Sequence, residues 1–222
     1  MGNSHLANSF VTNASTSFKK LCLKLLDTAY AELYTAKVVT RDWDENAISE
    51  VLVCIINDNP FAIGQHITAR TEKRLLPENF LNALPKVDGA YRIDIEIGGF
   101  GWSSNEYRTK YYMEAKNLYC QNFKKTNHKS WTSSIQYVNR YIETGVDNLL
   151  KEHYPSNTLL LGYVLVGTVR AAVDLLNLSL SKISRDAEKI ELKRTSEFLH
   201  LELGYSIHVQ GMVLEHCFLM FQ

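Results

Sequence analysis

The clearest hydrophobic pattern in the chain is a strict alternation over residues 91–97. Residues 93, 95 and 97 are isoleucines, and they alternate with the charged residues Arg92, Asp94 and Glu96. Successive side chains of a β-strand point to opposite faces, so this pattern predicts a strand with one apolar and one charged face. Buried charges are costly unless they are paired or bind a metal. The charged face therefore indicates either a set of ion pairs or a functional site.

A second predicted strand covers residues 110–118, after a connection rich in glycine and serine. It places Glu114 and Lys116 on the same face. A connection of this size makes an antiparallel hairpin between the two strands plausible. In such a hairpin Asp94 and Glu114 would lie close together on one surface.

Helical periodicity, with apolar residues every three or four positions, predicts four helices around these strands. The four segments are 15–36, 42–57, 135–149 and 168–181. The expected core face of the third includes Ile135, Val138 and Ile142. The charged run 70–74 is predicted to be a solvated helix face.

The order of the predicted elements indicates an α/β fold. A continuous apolar run over 159–166 predicts a fully buried strand, and two further strand-like segments follow at 198–209 and 212–221. We therefore expect one α/β domain, a sandwich with a central mixed β-sheet flanked by helices. Residues 1–15, rich in Asn, Ser and Thr, are expected to be frayed, with the core roughly within 42–220.

Composition narrows the functional classes only slightly. The 24 basic residues balance the 24 acidic ones, which argues against strong nonspecific nucleic-acid binding but allows a local basic cleft. Four cysteines without a CxxC pair predict free thiols in a reducing compartment. No apolar run approaches the roughly 20 residues that span a bilayer. The sequence thus predicts a cytoplasmic protein without a membrane segment.

Two carboxylates and a lysine on neighbouring strands are suited to metal-dependent phosphodiester hydrolysis. Carboxylate oxygens bind hard divalent cations such as Mg²⁺, and the carbonyl of Ala115 is a natural third protein ligand. A neighbouring lysine can position the attacking water or stabilise charge on phosphorus. The Glu-x-Lys pattern alone is weak, because residues 191–193 match it as well, in a stretch predicted to be helical and solvated.

Asp94 followed by Glu114-Ala115-Lys116 resembles the motif of the PD-(D/E)xK nuclease superfamily, which has the restriction-endonuclease-like fold. The likeness to small bacterial proteins of this superfamily extends to Tyr141-Ile142-x-x-Gly145-Val146, Tyr154 and Leu161-Gly162-Tyr163-Val164. The proline of the motif's name is absent, since Ala90 or Tyr91 stands near its expected place.

This resemblance implies an αβββαβ core and cleavage of DNA with Mg²⁺ or Mn²⁺. Asp94, Glu114 and Ala115 would hold the metal, and Lys116 would position or activate the water. Restriction, phage defence or repair are the implied settings. A homodimer or a partner protein could contribute specificity. The alternative is a noncatalytic structural or partner-binding protein on the same fold, with its carboxylates paired instead of metal-bound.

Members of this superfamily often add an acidic residue from the helix before the sheet, and Glu45 is the candidate here. The alternative is a capping box over residues 42–45, with Glu45 at the third helical position. Glu96 is either a further ligand or an ion-pair partner of Arg92.

Basic residues after the second strand are candidate contacts to DNA phosphates. They are Lys124, Lys125, Lys129 and, on the next helix, Arg140. An ordinary solvated surface is the alternative. Trp102 and Trp131 are expected to pack against the protein in preference to stacking on bases. The sequence shows no Ser-His-Asp or Cys-His signature.

Overall fold

The computed structural model describes residues 3–74, 92–100, 108–126, 130–155, 157–193 and 196–221. Trp102 and Lys129 lie outside these described residues. So does most of the connection between the first two predicted strands.

A mixed β-sheet forms the centre of the described part of the chain. Its seven strands are β1 Ile67–Arg74, β2 Arg92–Phe100, β3 Arg108–Tyr119, β4 Thr158–Val166, β5 Glu191–Lys193, β6 Glu202–Ile207 and β7 Val213–Met220. Their order across the sheet is β1-β2-β3-β4-β7-β6-β5. The central strands β3, β4 and β7 are parallel, and the other neighbouring pairs are antiparallel.

Helices cover both faces of this sheet. They are α1 Asn3–Ala36, α2 Glu45–Asp58, α3 Pro60–Gly64, α4 Ser134–Arg140, α5 Asp147–Leu150 and α6 Val169–Lys182. A π-helical turn, Tyr141–Val146, joins α4 to α5, and short 3₁₀ turns cover Asp186–Glu188 and Val209–Gly211. Within the described ranges, no helix combines the length and apolar character needed to cross a bilayer.

Two buried clusters lie on opposite sides of the sheet. On one side Leu26 of α1 and Ile48 of α2 pack with Ile95 and other strand residues. On the other side Val138 of α4 and Leu176 of α6 pack with strand residues of their own. The predicted α/β architecture, with a mixed sheet flanked by helices, is therefore confirmed. Helix α1 begins at Asn3 instead of at Ser15, and its contribution extends the core beyond 42–220.

The charged run 70–74 belongs to a strand, so the prediction of a helix face is wrong. Ile67 and Ala69 are buried while Thr68 and Arg70 are exposed, which is the period of a strand. This strand, β1, pairs only with β2 in the described sheet. Charged side chains on such an edge strand discourage further strand pairing.

Residues 191–193 are also extended instead of helical. They form β5, which pairs antiparallel with β6. Glu191 and Lys193 are both exposed. The second Glu-x-Lys match is thus a solvated edge strand, and it contrasts with the buried match on β3.

Candidate active site

Strands β2 and β3 separate at the predicted site. Their pairing ends at Ile95 and Met113. At Asp94, one residue before Ile95 on β2, a side chain takes the place of the backbone partner of β3. Asp94 Oδ2 accepts a hydrogen bond from the Ala115 amide at 2.6 Å. Ile93 then packs in the opposite cluster from Ile95, so the predicted single isoleucine face does not extend to Ile93. We call this opening the β2–β3 split.

Glu45 occupies the same free edge of β3. Its Oε1 accepts from the Asn117 amide at 3.0 Å, and its Oε2 lies 3.0 Å from a guanidinium nitrogen of Arg140. The predicted capping box is wrong, because Asp44 caps α2 by accepting from the Ala47 amide at 2.8 Å and Glu45 is the first helical residue. The first turn of α2 therefore directs Glu45 at the sheet.

Lys116 brings the two motif carboxylates together. Its Nζ forms a direct ion pair with Glu114 and lies 3.9 Å from Asp94 Oδ2. It also donates to the Ala115 carbonyl at 2.9 Å. Tyr154 donates its hydroxyl to Glu114 Oε1 at 3.0 Å. Asp94, Glu114 and Lys116 thus lie together at the β2–β3 split.

Burial dominates the electrostatics of these carboxylates. It raises the pKa of Asp94, an effect that Lys116 and the Ala115 amide oppose. Burial also raises the pKa of Glu114 to about 7, with repulsion from Asp94 adding to the shift and Lys116 opposing it. A bound cation would favour the ionised form of both groups. The site therefore presents two closely spaced carboxylates whose charge is only partly compensated.

The residues present fit a divalent metal through these two carboxylates. Glu114 Oε2 is buried without a hydrogen-bond partner, which leaves one hard oxygen ready for a ligand role. The Ala115 carbonyl already accepts from Lys116, so it would have to exchange that bond to become a ligand.

The described residues contain no group of three or more His, Cys, Asp or Glu side chains placed to hold a metal. Glu45 thus does not form a three-carboxylate cluster with Asp94 and Glu114.

Glu96 has a partner other than the predicted one. It is buried on β2 and lies 3.3 Å from Lys110 Nζ. Arg92 instead reaches Glu72 on β1, at 3.4 Å. Glu96 is therefore an ion-paired neighbour of the site.

The candidate phosphate-binding residues are distributed beyond the end of β3. Lys124 is exposed, Lys125 is partly buried, and Arg140 is half exposed while tied to Glu45. Trp131 is 72% exposed, so the prediction that it packs is wrong.

The structure also brings together a buried chain of hydrogen-bonded side chains that the sequence pattern did not reveal. We call this chain, from Tyr141 to Glu188, the polar line. Tyr141 bonds to His216 Nδ1 at 2.8 Å, and His216 Nε2 bonds to Ser206 at 2.8 Å. Ser206 bonds to His208 Nε2 at 2.7 Å, and His208 Nδ1 contacts Glu188. The available signal in the sequence was the Ser206-x-His208 spacing at the end of β6, where His208 directly follows the last strand residue.

This line contains serine, histidine and glutamate in the order of a hydrolase triad. Ser206, however, is only 1% exposed, and a substrate carbonyl cannot reach its hydroxyl. One proton arrangement satisfies the whole line with both histidines neutral: Tyr141 to His216, His216 to Ser206, Ser206 to His208, and His208 to Glu188. The line is therefore a structural network that links the π turn to β6 and β7.

Comparison with known proteins adds no family assignment. No family model, no curated protein and no solved structure matches the chain. The interpretation of the site therefore depends on its own geometry.

Proposed function

We propose that this chain is a metal-dependent phosphodiester hydrolase, and more particularly a DNA endonuclease of the PD-(D/E)xK type. The observation that supports this proposal is the convergence of Asp94, Glu114 and Lys116 at the β2–β3 split, with Lys116 Nζ 3.9 Å from Asp94 Oδ2. Two helices, the second of them the short α3, then three strands, a helical segment and a fourth strand follow one another from α2 to β4. That order is compatible with the αβββαβ core of the superfamily.

Each motif side chain has a distinct part in the proposed chemistry. Asp94 and Glu114 would hold Mg²⁺ or Mn²⁺, and the metal, when bound, polarises a phosphoryl oxygen and lowers the pKa of a bound water. Lys116 is held between the carboxylates, where its ammonium can orient the attacking water or stabilise charge developing on phosphorus. Tyr154 orients Glu114 through the 3.0 Å hydrogen bond to Oε1.

The test is cleavage of supercoiled plasmid and linear DNA in Mg²⁺ and in Mn²⁺, with EDTA as the metal-free control. Lys116→Ala is the site variant. Lys193→Ala is the matched control, because it alters the exposed Glu-x-Lys sequence on β5. We expect Lys116→Ala to lower the cleavage rate by at least about 100-fold, with Lys193→Ala unchanged. Equal activity in the wild type and Lys116→Ala would show that these residues are not the active site.

A noncatalytic, partner-binding role is the second candidate. The observation in its favour is that Lys116 already pairs with Glu114 Oε1 and donates to the Ala115 carbonyl. Lys116 and a proton on Glu114, whose pKa burial raises to about 7, can together compensate these charges without a metal.

Metal-dependent thermal stability separates the two candidates. A nuclease site binds Mn²⁺ in the folded state, so saturating Mn²⁺ should raise the Tm of the wild type, by linkage. Asp94→Ala should abolish that increase. If Mn²⁺ leaves the Tm unchanged and DNA stays intact, the noncatalytic role is supported.

A further inference from the structure

Trp131 is the most exposed of the large aromatic side chains on the described surface. It is 72% exposed, although a tryptophan side chain offers a large area for burial. It lies in the connection between β3 and α4. Ile135, in the first turn of α4, is also exposed, at 39%. Trp131 and Ile135 therefore leave apolar surface exposed to water in the folded protein.

The backbone around Trp131 is held in place. Phe123 and Thr132 exchange two hydrogen bonds, of 3.1 and 2.7 Å. Asn122 Oδ1 accepts from the Ser134 amide at 3.0 Å and ties the connection to the start of α4. The ring of Phe123 stacks on Tyr119 at a centroid distance of 3.9 Å. The residues that directly follow Trp131 are thus hydrogen-bonded to the segment after β3.

In the sequence, the connection that carries Trp131 lies between two elements of the candidate site. It leaves β3 at Tyr119, three residues after Lys116. It enters α4, whose last residue, Arg140, contacts Glu45 at 3.0 Å. Lys124 is exposed and directly follows Phe123, the bridge partner of Thr132. Lys124 follows one partner of this antiparallel bridge and Trp131 precedes the other, so an aromatic face lies beside a cationic side chain.

We propose that Trp131 stacks on an unpaired base of the nucleic acid, so that the preferred substrate is a single strand or a duplex with a single-stranded segment. This inference rests on the proposed nuclease function. An aromatic face beside cations binds bases with little sequence preference, because every base has a π-face. In an intact duplex those faces are covered by neighbouring base pairs. A stacking tryptophan therefore selects for unpaired nucleotides.

The experiment measures binding separately from cleavage. A fluorescently labelled oligothymidine and a labelled duplex of equal length are titrated by anisotropy in EDTA, which prevents metal-dependent cleavage. The variants are Trp131→Ala, the conservative Trp131→Phe, and Leu199→Ala as the matched control. Leu199 is 84% exposed, and its amide bonds to Asp27 of α1, remote in the chain from the β3–α4 connection.

We expect Trp131→Ala to weaken oligothymidine binding by about 5- to 150-fold, the range measured for loss of one stacking aromatic. Trp131→Phe should retain most of the affinity, and Leu199→Ala should leave it unchanged. Duplex binding should change less than single-strand binding. Unchanged single-strand binding in Trp131→Ala, or an equal loss on both ligands, would overturn the inference.

The outcomes distinguish this inference from the proposed function. Trp131-dependent binding without cleavage in Mg²⁺ or Mn²⁺ would support base stacking and contradict the nuclease. Cleavage that depends on Lys116 but not on Trp131 would support the nuclease and contradict base stacking.

Discussion

Glu45 connects three elements of the protein through one carboxylate. It begins α2, accepts from the Asn117 amide of β3, and pairs with Arg140 of α4. The hydrogen bond to Asn117 replaces the strand partner that β3 loses at the β2–β3 split. A buried amide without a partner is costly. Glu45 therefore stabilises the open edge of β3 whether or not the site is catalytic.

Two substitutions of Glu45 should separate the contribution of its hydrogen bond to stability from the contribution of its charge. We expect Glu45→Ala to lower the free energy of unfolding by about 1–3 kcal/mol, because the Asn117 amide loses its acceptor. Glu45→Gln keeps an oxygen that can accept from Asn117 and should be less destabilising. Urea unfolding at neutral pH measures both. An equal loss in the two variants would show that the ion pair with Arg140 dominates.

Strand β4 has no room for a side chain at Gly162. Gly162 on β4 pairs with Lys116 of β3 and Phe218 of β7. A Cβ at this position would lie 2.6 Å from Phe218 Cδ1 and 2.8 Å from Leu118 Cδ1. The absence of a side chain therefore lets neighbouring strands fill the space over β4 beside the site.

Gly162→Ala should destabilise the protein by about 1–3 kcal/mol, because the added methyl forces these side chains to move. Gly145→Ala is the matched comparison. Its Cβ would meet only Leu160 Cδ2, at 3.3 Å, and alanine is the better helix former. Denaturant unfolding of both variants tests the difference. Equal stability of Gly162→Ala and the wild type would contradict this packing.

The π turn is held to β6 and β7 by the line from Tyr141 to Glu188. Burial, with a smaller contribution from the neighbouring His208, lowers the pKa of His216 to about 3. Burial also lowers the pKa of His208, against the influence of Glu188. Both histidines are therefore neutral in the folded protein at neutral pH.

This neutrality predicts a loss of stability in acid. Below the unfolded-state pKa of about 6.5 the unfolded chain binds a proton at His216 that the folded chain does not. The contribution of His216 is thus complete above about pH 6.5 and falls by up to about 1.4 kcal/mol per pH unit towards its folded pKa. His216→Gln, which does not titrate, should show a shallower decline between pH 6.5 and 4.5 in urea unfolding. Identical slopes would contradict a neutral buried His216.

At the level of the whole molecule, charge bears on the nucleic-acid binding that the proposed function requires. The formal net charge is zero, so the attraction to phosphates must come from a local group of cations. The candidates are Lys124, Lys125, Lys129 and Arg140. Only a few counterions would then be released on binding.

The salt dependence of DNA binding should therefore be moderate. With four phosphate contacts, the slope of log K against log salt should be no steeper than about −4. Lys124→Ala should reduce the slope by about 0.7–0.9, the share of one contact, and Lys193→Ala should leave it unchanged. Anisotropy titrations at several salt concentrations measure these slopes. A much steeper slope would mean that a larger cationic surface is involved.

Local periodicity was sufficient to determine much of the fold. A strand repeats its side-chain direction every two residues, so the alternation over 91–97 predicted β2 and the charged face that contains Asp94. The apolar run 159–166 predicted β4, and helical spacing predicted α2 and α6. Because Glu114 and Lys116 are two residues apart on one strand, their shared face also followed from the sequence.

Periodicity did not identify the charged strands at the two edges of the described sheet. Residues 70–74 and 191–193 carry charges that suit a solvated helix as well as an edge strand. Their conformation is decided by hydrogen bonds to β2 and β6, which are contacts with distant parts of the chain.

Only the tertiary structure decided which distant side chains meet. Glu45 reaches Asn117 across 72 positions, and Tyr141 reaches His216 across 75. The exposure of Trp131 likewise depends on how the β3–α4 connection folds back on itself. The backbone repeat that a sequence reveals is local, whereas these contacts are set by strand register and by the packing of helices on the sheet.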